Sequence, residues 1–149
     1  MLRWREEHAR PKVSIWVGRE RQTESDTPIA VVRLIFANRG HDRELTFLQF
    51  EVPKPANVML DYTVWKSPDL VKGGSMRMVR IPLEVVCNQI GLYMPNATNE
   101  QLAKTMGNLK VVFSTGDGDR HAIAVTGENR RRLVDWVRER ASARRAAVR

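Results

Sequence analysis

The chain holds little of what would reveal its chemistry directly. It has one cysteine, Cys87, so no intramolecular disulfide can form, which is compatible with a reducing compartment. No base adjoins the thiol in sequence, and Cys87 is read as a small buried hydrophobe. Apolar runs are short: the richest, residues 28–37, is interrupted by Arg33 and falls far below the roughly 18 residues of a membrane span. The opening Met1-Leu2-Arg3-Trp4-Arg5-Glu6-Glu7-His8 lacks the apolar centre of a signal peptide. These absences predict a cytoplasmic chain, or the part of a membrane-anchored protein that stands clear of the bilayer if an anchor precedes Met1.

Catalytic and metal motifs are equally scarce. His8, His41 and His121 lie far apart, and none has a second ligand at zinc-motif spacing. Lys72-Gly73-Gly74-Ser75 echoes a phosphate loop without its upstream glycine, and a flexible loop is the better reading. Asp117-Gly118-Asp119 lacks the further oxygen ligands of a calcium loop and reads as a hairpin turn. Asn96-Ala97-Thr98 is a formal glycosylation sequon, but Thr98 is better used as a helix cap. There is no Gly-x-Ser-x-Gly elbow. No catalytic residue, no metal and no cofactor is expected. A catalytic set can assemble from distant positions, so an enzyme stays as a third option.

What is present is an ordinary globular composition in 149 residues, with 42% hydrophobic and 28% charged, suited to one domain with one core. The net charge of +8 is unevenly spread. Residues 126–149 hold eight arginines against Glu128, Asp135 and Glu139; residues 1–12 hold four basic groups against two acidic ones. The stretch between is nearly neutral, with 13 basic and 12 acidic residues. The expected division is therefore a basic linker over 1–12, a domain over 13–126 and a basic helix and tail over 127–149.

Alternation of period two dominates the middle of the chain. Val13, Ile15 and Val17 form one run; Val32, Leu34 and Phe36 another. Asn38-Arg39-Gly40-His41-Asp42 supplies turn chemistry before Leu48, Phe50 and Val52, and the second and third runs are expected to pair as a hairpin. Pro53 and Pro55 end that pair. Val58, Leu60, Tyr62 and Val64 make a fourth run, and residues 67–75 read as a flexible connection. In residues 76–86 the apolar phase slips from Met76 and Met78 to Val79, Ile81, Leu83 and Val85. That slip suggests a β-bulge, with Pro82 at an edge or in the bulge itself. Leu109, Val111 and Phe113 precede the Asp117 turn, and Ile123 and Val125 follow it. Thr98-Asn99-Glu100-Gln101 matches a capping box and predicts a short helix over about 98–106. From Glu128 the period changes to that of a helix, about 128–146, with Leu133, Val134, Val137 and Ala141 on one side and Trp136 at its flank. The prediction is mainly β: a seven-stranded sandwich with two helices.

The seven runs, the capped helix before the last hairpin and the Asn38-Arg39-Gly40 turn resemble an immunoglobulin-like sandwich. With the charged segment from Arg3 to Pro11, they are similar to the bacterial version that often follows a membrane anchor. The chain departs from the antibody-type pattern in lacking paired cysteines that bracket a tryptophan. The resemblance implies a fold and carries over no functional residue.

Two sets of residues are candidates for contact. Arg131, Arg138 and Arg145, spaced by seven, align three guanidinium forks over about 21 Å of helix. Arg130 and Arg132 flank them as further anion or partner contacts. The plain alternative is a solvated face in which Arg131 pairs with Asp135 four residues on. Trp16 and Trp65 fall on the polar faces of their strands, where they either cover the surface beneath the last helix or mark a partner patch. The methionines are expected as core filler.

The leading functional reading is a non-enzymatic interaction module that binds a protein partner, with basic ends near an anionic surface such as a membrane. Nucleic-acid binding through the last helix is the alternative. No aromatic–basic interleaving marks a strand face as a base-stacking platform.

Overall fold

A computed structural model describes residues 11–21, 23–52, 58–61, 69–116 and 118–148. The immunoglobulin-like, seven-stranded sandwich expected above is not what forms. Among the described residues there are eight strands and three helices, a mixed α and β architecture whose antiparallel sheets have three and five strands.

The first sheet has the order β1 (Lys12–Glu20), β2 (Ile29–Ala37), β6 (Met76–Pro82). The second has the order β4 (Val58–Asp61), β3 (Arg43–Val52), β7 (Lys110–Thr115), β8 (Arg120–Ala124), and β5 (Asp69–Val71) also pairs with β3. Thus β2 and β3 do not form the expected hairpin. β2 pairs with β1 and β6, while β3 pairs with β4, β5 and β7. Residues 38–42 carry the chain from one sheet to the other.

That crossing is held by Asn38, which is buried. Its side-chain amide donates to the carbonyls of His41 at 2.8 Å and Val71 at 2.7 Å, and its Oδ1 accepts from the Gly40 N–H at 3.2 Å. A buried amide with both functions engaged stabilises a corner that a bare polar group would disrupt. Gly73 lies so close that a Cβ there would meet the Gly40 carbonyl oxygen at 2.2 Å. The supposed flexible connection over 67–75 is instead, where described, strand β5 and a tight turn in which the Ser75 N–H reaches the Lys72 carbonyl at 3.0 Å.

The expected bulge in 76–86 is absent. β6 runs regularly to Pro82, and helix α1 (Leu83–Tyr93) starts at once. Proline has no N–H for the ladder but suits the residues that open a helix, whose first N–H groups lack intrahelical partners anyway. Leu83, Val86, Cys87 and Ile90 then recur at helical spacing and are all buried. The phase slip has a simpler origin: Val79 and Ile81 face the core, whereas Met76 and Met78 are 63% and 47% exposed. Those two methionines are surface residues, not core filler. A register irregularity does occur, in β3 against β7 between Leu45 and Phe47.

Helix α2 (Asn99–Gly107) begins with the reciprocal capping box: Thr98 Oγ1 accepts from the Gln101 N–H at 3.1 Å, and Gln101 Oε1 accepts from the Thr98 N–H at 2.8 Å. Helix α3 (Gly127–Val148) follows β8. One core joins all layers. It takes Val17, Val32 and Ile81 from the first sheet, Phe50 and Val111 from the second, Val86 and Ile90 from α1, Met106 from α2, and Leu133 and Val137 from α3. Farther along, Phe36 and Phe113 meet edge to face across the sheets, with ring centroids 5.5 Å apart.

Candidate functional site

β1 is an edge strand of the first sheet, and edge strands present unpaired N–H and C=O groups. Helix α3 covers this edge with side chains. Asn129 Oδ1 accepts from the Val17 N–H at 3.0 Å, while its Nδ2 donates to the Ile15 carbonyl at 2.9 Å. Arg132 Nη1 donates to the Val17 carbonyl at 3.0 Å. One carboxamide thus supplies the donor and acceptor that a neighbouring strand would. Leu133, Val137 and Ala141, four residues apart, turn into the core and fix the helix in this position.

Beyond the covered edge a groove of about 400 Å³ separates β1 from α3. Trp16, Gly18 and Arg19 line its strand side; Arg131, Arg132, Asp135, Trp136 and Glu139 line its helix side. The Trp16 ring lies flat over Gly18, where an added Cβ would fall 2.3 Å from Cη2 and Cζ2 of the indole. Only glycine leaves room for that ring. The Arg33 guanidinium stacks on the same indole, 4.4 Å from a ring centroid. Glu20 holds both Arg33, at 2.9 Å, and Arg80, at 2.8 Å. Across the groove Arg19 meets Glu139 at 3.6 Å, with both side chains more than 60% exposed, at 62% and 68%.

The arginine stripe is not a row of free forks. Arg131 pairs with Glu128 at 2.6 Å rather than with Asp135, and Arg132 shares that carboxylate at 3.6 Å. Arg138 binds Glu100 of α2 through two bonds of 3.0 and 3.1 Å, and this carboxylate raises the guanidinium pKa. Arg145 is exposed near the end of α3 and has no ion pair among the described residues. Arg130 borders two further depressions, one shared with Arg138 and one with Asn108. Trp65 and the basic residues 1–10 lie outside the described residues.

Sequence reasoning missed Arg140. This guanidinium binds Glu84 of α1 through two bonds of 2.8 and 2.9 Å and Asn88 at 2.8 Å, and Arg144 joins Glu84 at 3.1 Å. Hydrogen bonding from Arg140 holds the Glu84 carboxyl below its ordinary value, against a smaller opposing effect of burial. Burial pushes the neighbouring Cys87 thiol up, away from the reactive thiolate. The signal was the four-residue spacing of Glu84 and Asn88, which becomes visible once residues 83–93 are a helix. His121 stacks on Phe113 at 4.7 Å between ring centroids.

Among the described residues no group of three or more His, Cys, Asp or Glu side chains is placed to hold a metal ion, and no helix is long and apolar enough to cross a membrane. The class so defined is two antiparallel sheets closed by three helices, with a tryptophan-lined groove at the edge of the smaller sheet. No family model, curated protein or solved structure matches the chain.

Proposed function

We propose that the chain is a non-enzymatic interaction module that holds a protein partner in the groove between β1 and α3. The observation that carries this is the groove's lining. Two half-buried tryptophans face it beside three arginines, the residue types that dominate binding energy at protein interfaces. Its charges are held by exposed ion pairs, which cost little to exchange for a partner's groups.

In this reading the module works in the cytoplasm. The basic ends place it near an anionic surface, with Arg130 and Arg145 among the groups left for that role. Each such residue adds about 1 kcal/mol close to an anionic lipid surface. Nucleic-acid binding stands behind, because the basic surface is confined to the ends of the chain and no strand face interleaves aromatic and basic residues as a base-stacking platform.

Selection of a random peptide library on the immobilised chain tests the proposal. Enriched peptides should lose binding to the Trp16→Ala and Trp136→Ala variants, each first shown to be folded by circular dichroism. No enrichment, or enrichment indifferent to both changes, overturns it.

A further inference from the structure

We propose that the groove accepts an extended acidic peptide segment, added as a strand along the end of β1; this rests on the groove being the binding site. The backbone geometry points there first. In an antiparallel ladder each residue turns its N–H and C=O to the same side, and residues two apart share that side. The N–H and C=O of Val17 face α3, where Asn129 and Arg132 bind them. Arg19 has the same phase, so its backbone pair also faces away from β2. Arg19 lines the groove, and neither backbone group has a hydrogen-bond partner among the described residues. Asn129 therefore marks the mode of recognition one step earlier on the same edge: an amide group completing the strand. A peptide entering the groove continues what the carboxamide begins.

The charges select the peptide. Among the described residues Arg19 is held only by the exposed carboxylate of Glu139, and Arg131 and Arg132 share the carboxylate of Glu128, with Arg132 also on the Val17 carbonyl. A ligand carboxylate can displace Glu139 from Arg19 and give Arg131 a second acceptor besides Glu128. The chain's net charge of +8 favours the approach of an acidic segment. Alternate side chains of the added strand meet Trp16 and Trp136, so the fitting pattern is acidic residues alternating with apolar ones.

The probe is a fluorescein-labelled octapeptide alternating Glu and Val, titrated with the full chain and read by anisotropy and tryptophan emission. Two copies carry N-methyl groups on alternate amides, one copy for each edge of the peptide, and a third probe alternates Lys and Val. The Glu/Val peptide should bind saturably. One N-methylated copy should lose about tenfold in affinity and the other little, because only one peptide edge bonds to β1. Glu139→Gln should tighten binding about threefold by freeing Arg19, and the exposed Arg19→Glu should weaken it about tenfold. Equal binding of both methylated copies overturns strand addition and leaves the groove as the site. Preference for the Lys/Val peptide overturns the acidic assignment. If library selection yields groove binders that are helical or basic, and the Glu/Val peptide does not bind, this proposal fails alone. Failure of both experiments removes the groove reading too.

Discussion

Replacing Asn129 with alanine should uncover the edge of β1 and measurably loosen the molecule. The change deletes two hydrogen bonds, to the Val17 N–H and the Ile15 carbonyl. Each is worth about 1 kcal/mol net, and a buried group left without a partner costs about 1–3 kcal/mol more. Val17 is 1% exposed, so its N–H regains water poorly. Against this, alanine favours a helix over asparagine by roughly 0.6 kcal/mol. The expected loss is about 2–4 kcal/mol. With a urea slope near 2 kcal/mol/M, the unfolding midpoint should fall by roughly 1–2 M. Arg132→Ala removes one backbone bond and should cost less, about 0.5–1.5 kcal/mol. Amide exchange localises the effect: the Val17 N–H should exchange faster in Asn129→Ala and stay protected in Arg132→Ala. If Asn129→Ala unfolds within about 0.5 kcal/mol of the parent with Val17 still protected, the side chain is not holding the edge.

Three further outcomes follow from the packing. Gly18→Ala should push the Trp16 ring off the strand, shifting tryptophan emission to the red without unfolding the chain. Leu133→Ala, at a side chain with no solvent exposure, should cost about 2–5 kcal/mol in urea unfolding. Glu84→Gln tests the latch between α1 and α3. The folded pKa of Glu84 is depressed, so its ion pairs stabilise the fold above the ordinary carboxyl value of 4.5 and lose that effect as pH falls through the folded value. The side chain is 48% exposed, which after solvent screening leaves about 1 kcal/mol at neutral pH. The parent should therefore exceed Glu84→Gln at pH 7, and the margin should vanish at low pH; a margin unchanged by acid refutes the assignment.

Local patterns in the sequence were legible where a single period had no rival. The Thr98–Gln101 capping box and the apolar stripe of Leu133, Val137 and Ala141 each fix a helix from neighbouring residues alone. Residues 79–90 carried two periods at once. Val79, Ile81, Leu83 and Val85 alternate like a strand, while Leu83, Val86, Cys87 and Ile90 repeat like a helix, and only the chemistry of Pro82 separates them. Pairing was not legible. The turn residues Asn38 and Gly40 serve a hairpin or a crossing equally well, and besides β1 the neighbour of β2 is β6, with paired residues 39 to 51 apart in sequence. The groove was half visible. Trp16 and the arginines were identifiable by residue type, and the Glu128–Arg131 pair lies within one helix, but the partner that ties up Arg138 depends on where α2 and α3 settle. Asn129 gave no signal, because the backbone it completes lies 112 residues away in sequence.

That separation has a consequence for how the chain is made. A ribosome adds about 5–20 residues per second, so roughly 6–22 seconds pass between the emergence of β1 and that of the residue that covers its edge. Throughout that interval the β1–β2 pair can form while its outer edge stays open to any other strand. A message cut short before residue 127 releases a product with that edge permanently bare. Such fragments should be recognised by chaperones and proteases far more readily than a chain that carries α3, and that helix then marks the point at which synthesis closes the Ile15–Val17 stretch of the edge.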